Sequence, residues 1–205
     1  MFEKLGKIWA PVGNILDSFD AEMRYRLKHN RDGVKFFGNV RLEHFRDGQC
    51  IYDFQEPNPN IFTTEGLNYL NDIMWFTTSK AASKIWYVGI FKANVTPAAG
   101  DTAAAKLGAA GTYQECQDAD YDDPATNKPS YNTAASAAAV TTNSANKAEF
   151  TIAASITVYG AFLGDEQAKT ATNGTLMCAK KFSASRAVID DDVLYVTYQI
   201  TASSS

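Results

Sequence analysis

The chain has little of what metal and nucleophile chemistry needs. Its 205 residues include two histidines, His29 and His44, and three cysteines, Cys50, Cys116 and Cys178. No Cys-x-x-Cys step, zinc-spaced Cys/His set, nucleophile elbow or Gly-rich phosphate loop occurs. An odd number of widely spaced cysteines frames no disulfide scaffold and suits thiols in a reducing compartment. The sequence therefore predicts no catalytic residues, no metal and no cofactor. His44 falls in an alternating strand beside Glu43 and His29 at the end of a basic helix, so ordinary surface or hairpin roles are expected of both. A hydrolase would need two convergent acids, which spacing alone does not identify.

Long apolar runs are missing as well. No stretch approaches the roughly 20 apolar residues of a membrane helix. The first residues, MFEKLGKIWAPVGNILDSFD, are interrupted by Gly6, Pro11, Gly13 and Asp17, so they lack the continuous apolar segment of a signal peptide. A soluble protein made in the cytoplasm, without membrane contact, is the expectation. Basic charge is also short: the net charge is −4, which disfavours a general nucleic-acid binder. Residues 1–50 hold nine Lys/Arg against seven Asp/Glu, whereas 51–205 hold ten against sixteen. That mild basic bias at the N-terminus suits an acidic protein surface.

What is present is a core: 45% hydrophobic and 12% aromatic residues suffice for one large all-β domain or two small ones. Residues 14–28 place Ile15, Phe19, Met23 and Leu27 at helical spacing, with Asn14 as N-cap and basic residues in the last turns. Residues 34–55 read as a hairpin about RDGQ, an Asp-Gly turn signal. EPNPN then ends the pairing. FTTEGLNYLNDIMWF predicts a helix capped by Thr63 or Thr64, with Leu67, Leu70, Ile73 and Met74 on one face. A strand over 85–92 follows.

Between Ala93 and Ala148, 17 of 56 residues are Ala, too little bulk for a separate core. Long surface loops are expected there, with short strands near 111–116 and 136–142. Strands are predicted again near 147–153, 155–163, 174–182 and 192–201, the last with Leu194, Val196, Tyr198 and Ile200 alternating with polar or aromatic neighbours. The sum is mainly β: an antiparallel β-sandwich or jelly roll of about eight strands, an N-terminal amphipathic helix and one short internal helix. Residues 1–33 form an arm and 34–205 the sandwich domain. Trp86, Val88, Ile90, Phe150, Ile152, Phe162, Leu194, Val196 and Tyr198 are its expected core.

Two acidic clusters and one aromatic group remain. DADYDD (Asp118, Asp120, Asp122, Asp123) departs from a calcium loop at the required Gly and Glu positions and reads as a solvated acidic loop. Asp190, Asp191 and Asp192 read as a charged turn. Trp75, Trp86 and Tyr87 are expected in core packing rather than on a sugar-stacking platform.

Three stretches, FTTEGLNYLNDIMWF (62–76), IWYVGIFKANVTPAAGDT (85–102) and VYGAFL (158–163), resemble a group of small virion proteins of tailed bacteriophages. The resemblance covers roughly residues 35–200. It implies a head decoration (cement) protein with a jelly-roll-like β-sandwich on the capsid surface. Its partners would be the major capsid protein and neighbouring copies of itself in a homo-oligomer. The long small-residue loop would then conform to neighbouring subunits. Partner contact is expected from the N-terminal arm, through Ile8, Trp9, Ile15, Phe19, Met23, Arg24, Arg26, Leu27 and Lys28. The alternative is a tail or fibre component that binds a host-surface glycan through DADYDD and NKPSYN.

Overall fold

The RDGQ signal sets the first pair of strands. In the computed structural model, which describes residues 34–76, 86–169 and 171–204, Asp47 (φ 50°) and Gly48 (φ 74°) take left-handed turn conformations. They join β1 (Val34–Arg46) to β2 (Gln49–Gln55) in an antiparallel hairpin. The chain continues through β3 (Ile61–Phe62), α1 (Thr64–Trp75), β4 (Tyr87–Phe91), α2 (Ala103–Lys106), β5 (Tyr121–Asp123) and β6 (Val140–Thr142). It ends with β7 (Ala148–Ile152), β8 (Ile156–Gly164), β9 (Leu176–Val188) and β10 (Val193–Ser204). The helix expected over 14–28 lies outside the described residues.

These strands make a larger sheet of order β2-β1-β10-β7-β5, with β6 also on β10, and a smaller sheet of order β3-β9-β8-β4. The expected mainly β sandwich is what forms, within one compact unit of residues 36–202. It has two strands beyond the eight expected. β3 and β5 hold two and three residues, too few to show a period of two.

The two sheets close on one core. From the larger come Val40, Leu42, Phe150, Ile152, Leu194, Val196 and Tyr198; from the smaller come Val88, Ile90, Val158, Leu163, Met177 and Phe182. All are nearly or fully excluded from solvent. Of the nine residues expected to form the core, Trp86 departs: it is half-buried at the sandwich end, edge-to-face with Tyr69 at 5.3 Å, and Tyr87, also expected in core packing, is half-buried beside it.

The segment after β4 corrects the expectation of surface loops. It folds back over the outer face of the smaller sheet and builds a second core from Phe91, Ala103, Leu107, Tyr113, Phe162, Leu176 and Ala179. Tyr113 stacks on Phe91 with ring centroids 4.8 Å apart. Most of the bulk therefore comes from the sheet beneath, and small Ala side chains suffice to lie on it. The same segment covers the β4 edge: Cys116 N–H donates to the Ile90 carbonyl (3.0 Å), Val88 N–H to Pro129 (2.9 Å) and Tyr131 N–H to Trp86 (2.6 Å). Near 111–116 there is an isolated Phe91–Glu115 bridge rather than a strand.

Burial on both faces explains two glycines in β4 and β8. Gly89 is paired with Phe162, and Gly160 with Phe91. A Cβ at Gly89 would fall inside the Phe162 ring, and one at Gly160 inside the Phe91 ring. Each ring lies over the glycine of the neighbouring strand, so the two side chains fill the space the glycines leave.

Candidate functional site

The start of α1 shows how the sequence places its surroundings. Thr63 is the N-cap: Gly66 N–H donates to its Oγ1 at 2.9 Å, and its own hydroxyl donates to the Leu176 carbonyl. Glu65 Oε2 accepts from Leu176 N–H (2.7 Å) and from Ala103 N–H at the start of α2 (2.9 Å). Gly66 rests on the backbone of Met177, where a Cβ would not fit. One turn thus fastens the helix to β9 and the covering segment.

That close approach also rotates the helix. Gly66, Tyr69, Leu70 and Ile73 face the sandwich, buried or half-buried, while Leu67 and Met74 turn outward. The expected face of Leu67, Leu70, Ile73 and Met74 is therefore off by about one position, because glycine gives no hydropathic signal for the side on which backbones meet. The end of the helix is bare: Met74 is 62% exposed, Trp75 82% and Phe76 68%. Trp75 was expected in the core and instead stands in solvent. Three consecutive large apolar side chains at such exposure form a contact surface of the kind that marks a binding site.

Beside α1 the sandwich opens into an apolar cleft of ≈370 Å³. Phe36, Thr141 and Ile200 line it from the larger sheet, Phe62, Leu163 and Met177 from the smaller, with Leu70, Trp86 and Tyr131 closing the ends. Phe36 and Phe62 face one another with ring centroids 6.1 Å apart. No charged side chain lines the cleft. What the arrangement offers is largely apolar area at the mouth of a sandwich, with the Tyr131, Asn132 and Thr133 side chains among its lining.

The charged residues are elsewhere, and the structure refines what was expected of them. His44 takes the expected place in the hairpin, paired with Tyr52, but is fully buried there; its Nε2 lies 2.9 Å from Asp192 Oδ2 and its Nδ1 3.2 Å from Arg186 Nη2. Asp190 and Asp191 form the expected charged turn and are exposed, whereas Asp192 beside them is buried. It accepts from Arg46 Nε (2.8 Å), Arg46 Nη2 (2.6 Å) and Ile189 N–H (2.9 Å). The Arg46 bond above all holds its carboxyl well below the usual range, while burial lowers the His44 imidazole. In DADYDD, Asp120 is buried and accepts from Lys92 Nζ at 2.8 and 2.7 Å; Asp118, Asp122 and Asp123 remain exposed.

Two lysines that raise no sequence signal complete the covering layer. Lys128 Nζ lies 3.0 Å from Glu115 Oε1, both side chains 1% exposed, and donates to the Ala168 carbonyl at 2.6 Å. Lys169 Nζ donates to the Tyr121 and Ala125 carbonyls at 2.8 Å each and sits 3.7 Å from the Tyr121 ring centroid. These ammonium groups are enclosed and act as clamps on irregular backbone.

The expected partner residues Ile8, Trp9, Ile15, Phe19, Met23, Arg24, Arg26, Leu27 and Lys28 lie outside the described residues, as does His29. Among the described residues no group of His, Cys, Asp and Glu is arranged to hold a metal, and no helix is long and apolar enough to cross a membrane. Cys50 is exposed while Cys116 and Cys178 are buried, and all three are free thiols. Compared with known proteins, the chain matches no family model and no curated protein.

Proposed function

We propose that this chain is a virion structural protein that works by binding: a head decoration, or cement, protein of a tailed bacteriophage. On this reading it sits on the capsid surface at junctions of the major capsid protein, beside neighbouring copies of itself. The observation that carries the reading is the bare Met74-Trp75-Phe76 end of α1, beside the apolar cleft. A helix fastened this firmly at its N-terminus holds its exposed end in place, so a partner pays little to order it. Burying one such side chain contributes on the order of 1.5–3 kcal/mol. Many identical weak contacts on a symmetric shell then add through multivalency.

The likeness of the three quoted stretches to phage decoration proteins supplies the partner class. Their residues shape the surface: Thr63, Glu65 and Gly66 set α1, and Gly89 and Gly160 admit the Phe162 and Phe91 rings. The test is stoichiometry. Quantitative mass spectrometry of purified particles should find copies on the scale of the major capsid protein. A handful per particle would replace this reading with a tail or fibre component, and absence from particles would end it.

A further inference from the structure

The outer face of the larger sheet carries a different surface. Two clefts, of ≈490 and ≈310 Å³, share Lys147 as a common wall. Each is within the roughly 300–1,000 Å³ range of small-molecule sites. Apart from Asn132, neither includes a residue of the apolar cleft.

The larger lies between two hairpin turns. Asp47 and Gly48 of the β1–β2 turn form one rim, Asp191 of the β9–β10 turn the other, and Phe45, Val193 and Tyr195 line it between. Phe45 and Tyr195 meet edge-to-face at 5.4 Å and 88°, both half-buried. Lys147 Nζ stands over the Tyr195 ring, 5.7 Å from its centroid, so a sugar would stack on the ring surface that this flexible side chain leaves or vacates. Among the described residues no hydrogen bond or ion pair takes the exposed Asp47 and Asp191 carboxylates. The smaller cleft is polar, lined by Asp123, Ser130, Asn132, Asn146 and Glu149. Tyr195 is paired across the strands with Glu149, which joins the two clefts along one face.

We propose that this face binds a neutral oligosaccharide. A pyranose ring has an apolar C–H face, which suits an open aromatic ring, and a rim of hydroxyls, which suits carboxylate acceptors and side-chain amides. The chamber between the turns offers the first beside carboxylates, and its neighbour offers amides. Charge selects further. Asp47, Asp123, Glu149 and Asp191 outnumber Lys147, whose Nζ already lies 2.6 Å from Glu43 Oε2. Sialylated, sulfated or phosphorylated sugars therefore meet like charge. The site serves whether the protein sits on a head or a tail.

The experiment needs no particle. The full chain is applied to an array of neutral tri- to hexasaccharides built on glucose, galactose, mannose and N-acetylglucosamine, beside sialylated and sulfated counterparts. The strongest neutral signal is then titrated calorimetrically. Binding should appear among the neutral sugars, fall at least about tenfold in Tyr195→Ala and largely persist in Tyr195→Phe, which keeps the stacking face. Asp191→Asn, on an exposed turn where Asn accepts the left-handed backbone, should also weaken it, and this variant decides the matter if Tyr195→Ala melts early. Signals confined to acidic glycans, no signal from any neutral sugar, or unchanged affinity in folded Tyr195→Ala and Asp191→Asn would each overturn the proposal.

Discussion

The neighbours of His44 fix its protonation state. Arg186 can only donate, so Nδ1 accepts and carries no proton; the single proton is on Nε2 and is donated to Asp192. Burial first, then the Arg186 and Arg46 charges, lower its pKa from 6.5, with Asp192 opposing. A group more acidic in the folded state loses stability as pH falls, because the unfolded chain binds the proton first. Unfolding free energy should therefore begin to drop below about pH 6.5. A second loss follows below about pH 4, as the unfolded Asp192 carboxyl takes its proton before the folded one. Urea titrations across this range should show both limbs, and His44→Gln should lack the first. If the wild-type and His44→Gln profiles run parallel between neutrality and pH 5, the imidazole is being protonated in place. Asp192→Ala removes the shared acceptor of His44, Arg46 and the Ile189 N–H and should lower the denaturation midpoint.

Pairs of elements are held by contacts that ought to be strongly coupled. Phe162 is fully buried, and Phe162→Ala should cost about 3–5 kcal/mol. Gly89→Ala drives a methyl into the same ring and should cost about 1–3 kcal/mol. Made together, the methyl enters the space that the ring has left, so the double variant should be more stable than the two single costs predict. Simple additivity in denaturant melts would show that Gly89 and Phe162 do not share that space. Lys128 holds the covering layer in the same local sense. Lys128→Met should strand the Glu115 charge and open the segment near residues 117–131 to limited proteolysis well before the sandwich unfolds; equal cleavage rates in the two proteins would count against the clamp.

For the molecule as a whole, the proposed function separates stability from binding. Trp75→Ser changes an exposed side chain and should leave unfolding free energy within about 0.5 kcal/mol, while reducing retention on capsids. Retention unaffected by Trp75→Ser would remove the end of α1 from the interface. Deleting residues 1–30, with the stripe Ile15, Phe19, Met23 and Leu27, should leave the melting temperature of the sandwich unchanged and abolish stable attachment to particles. A truncated protein that melts several degrees early yet still decorates capsids would make those residues a cap on the fold instead of an arm.

The sequence by itself determined the longer strands and the class of fold, but not the short β3 and β5. Leu194, Val196 and Tyr198 alternate with half-exposed neighbours, and Asp47-Gly48 sits between two extended runs, so a period of two and a turn dipeptide are enough. Thr63 as a cap and the long β8 run were legible for the same reason: each signal is local. What crosses the chain was not. His44 and Asp192 are 148 positions apart, and nothing near either one says that they meet in a dry interior. Trp75 and Trp86 look alike in sequence, yet the contact of Gly66 with Met177 turns Met74 and its neighbours outward while Trp86 packs on Tyr69. The Ala-rich segment has little bulk of its own, and only the tertiary structure supplies Phe91, Phe162 and Leu176 beneath it. Hydrophobic pattern fixes which face of an element is apolar. Where that face lands, and which charges are enclosed with it, depends on packing between segments far apart in the chain.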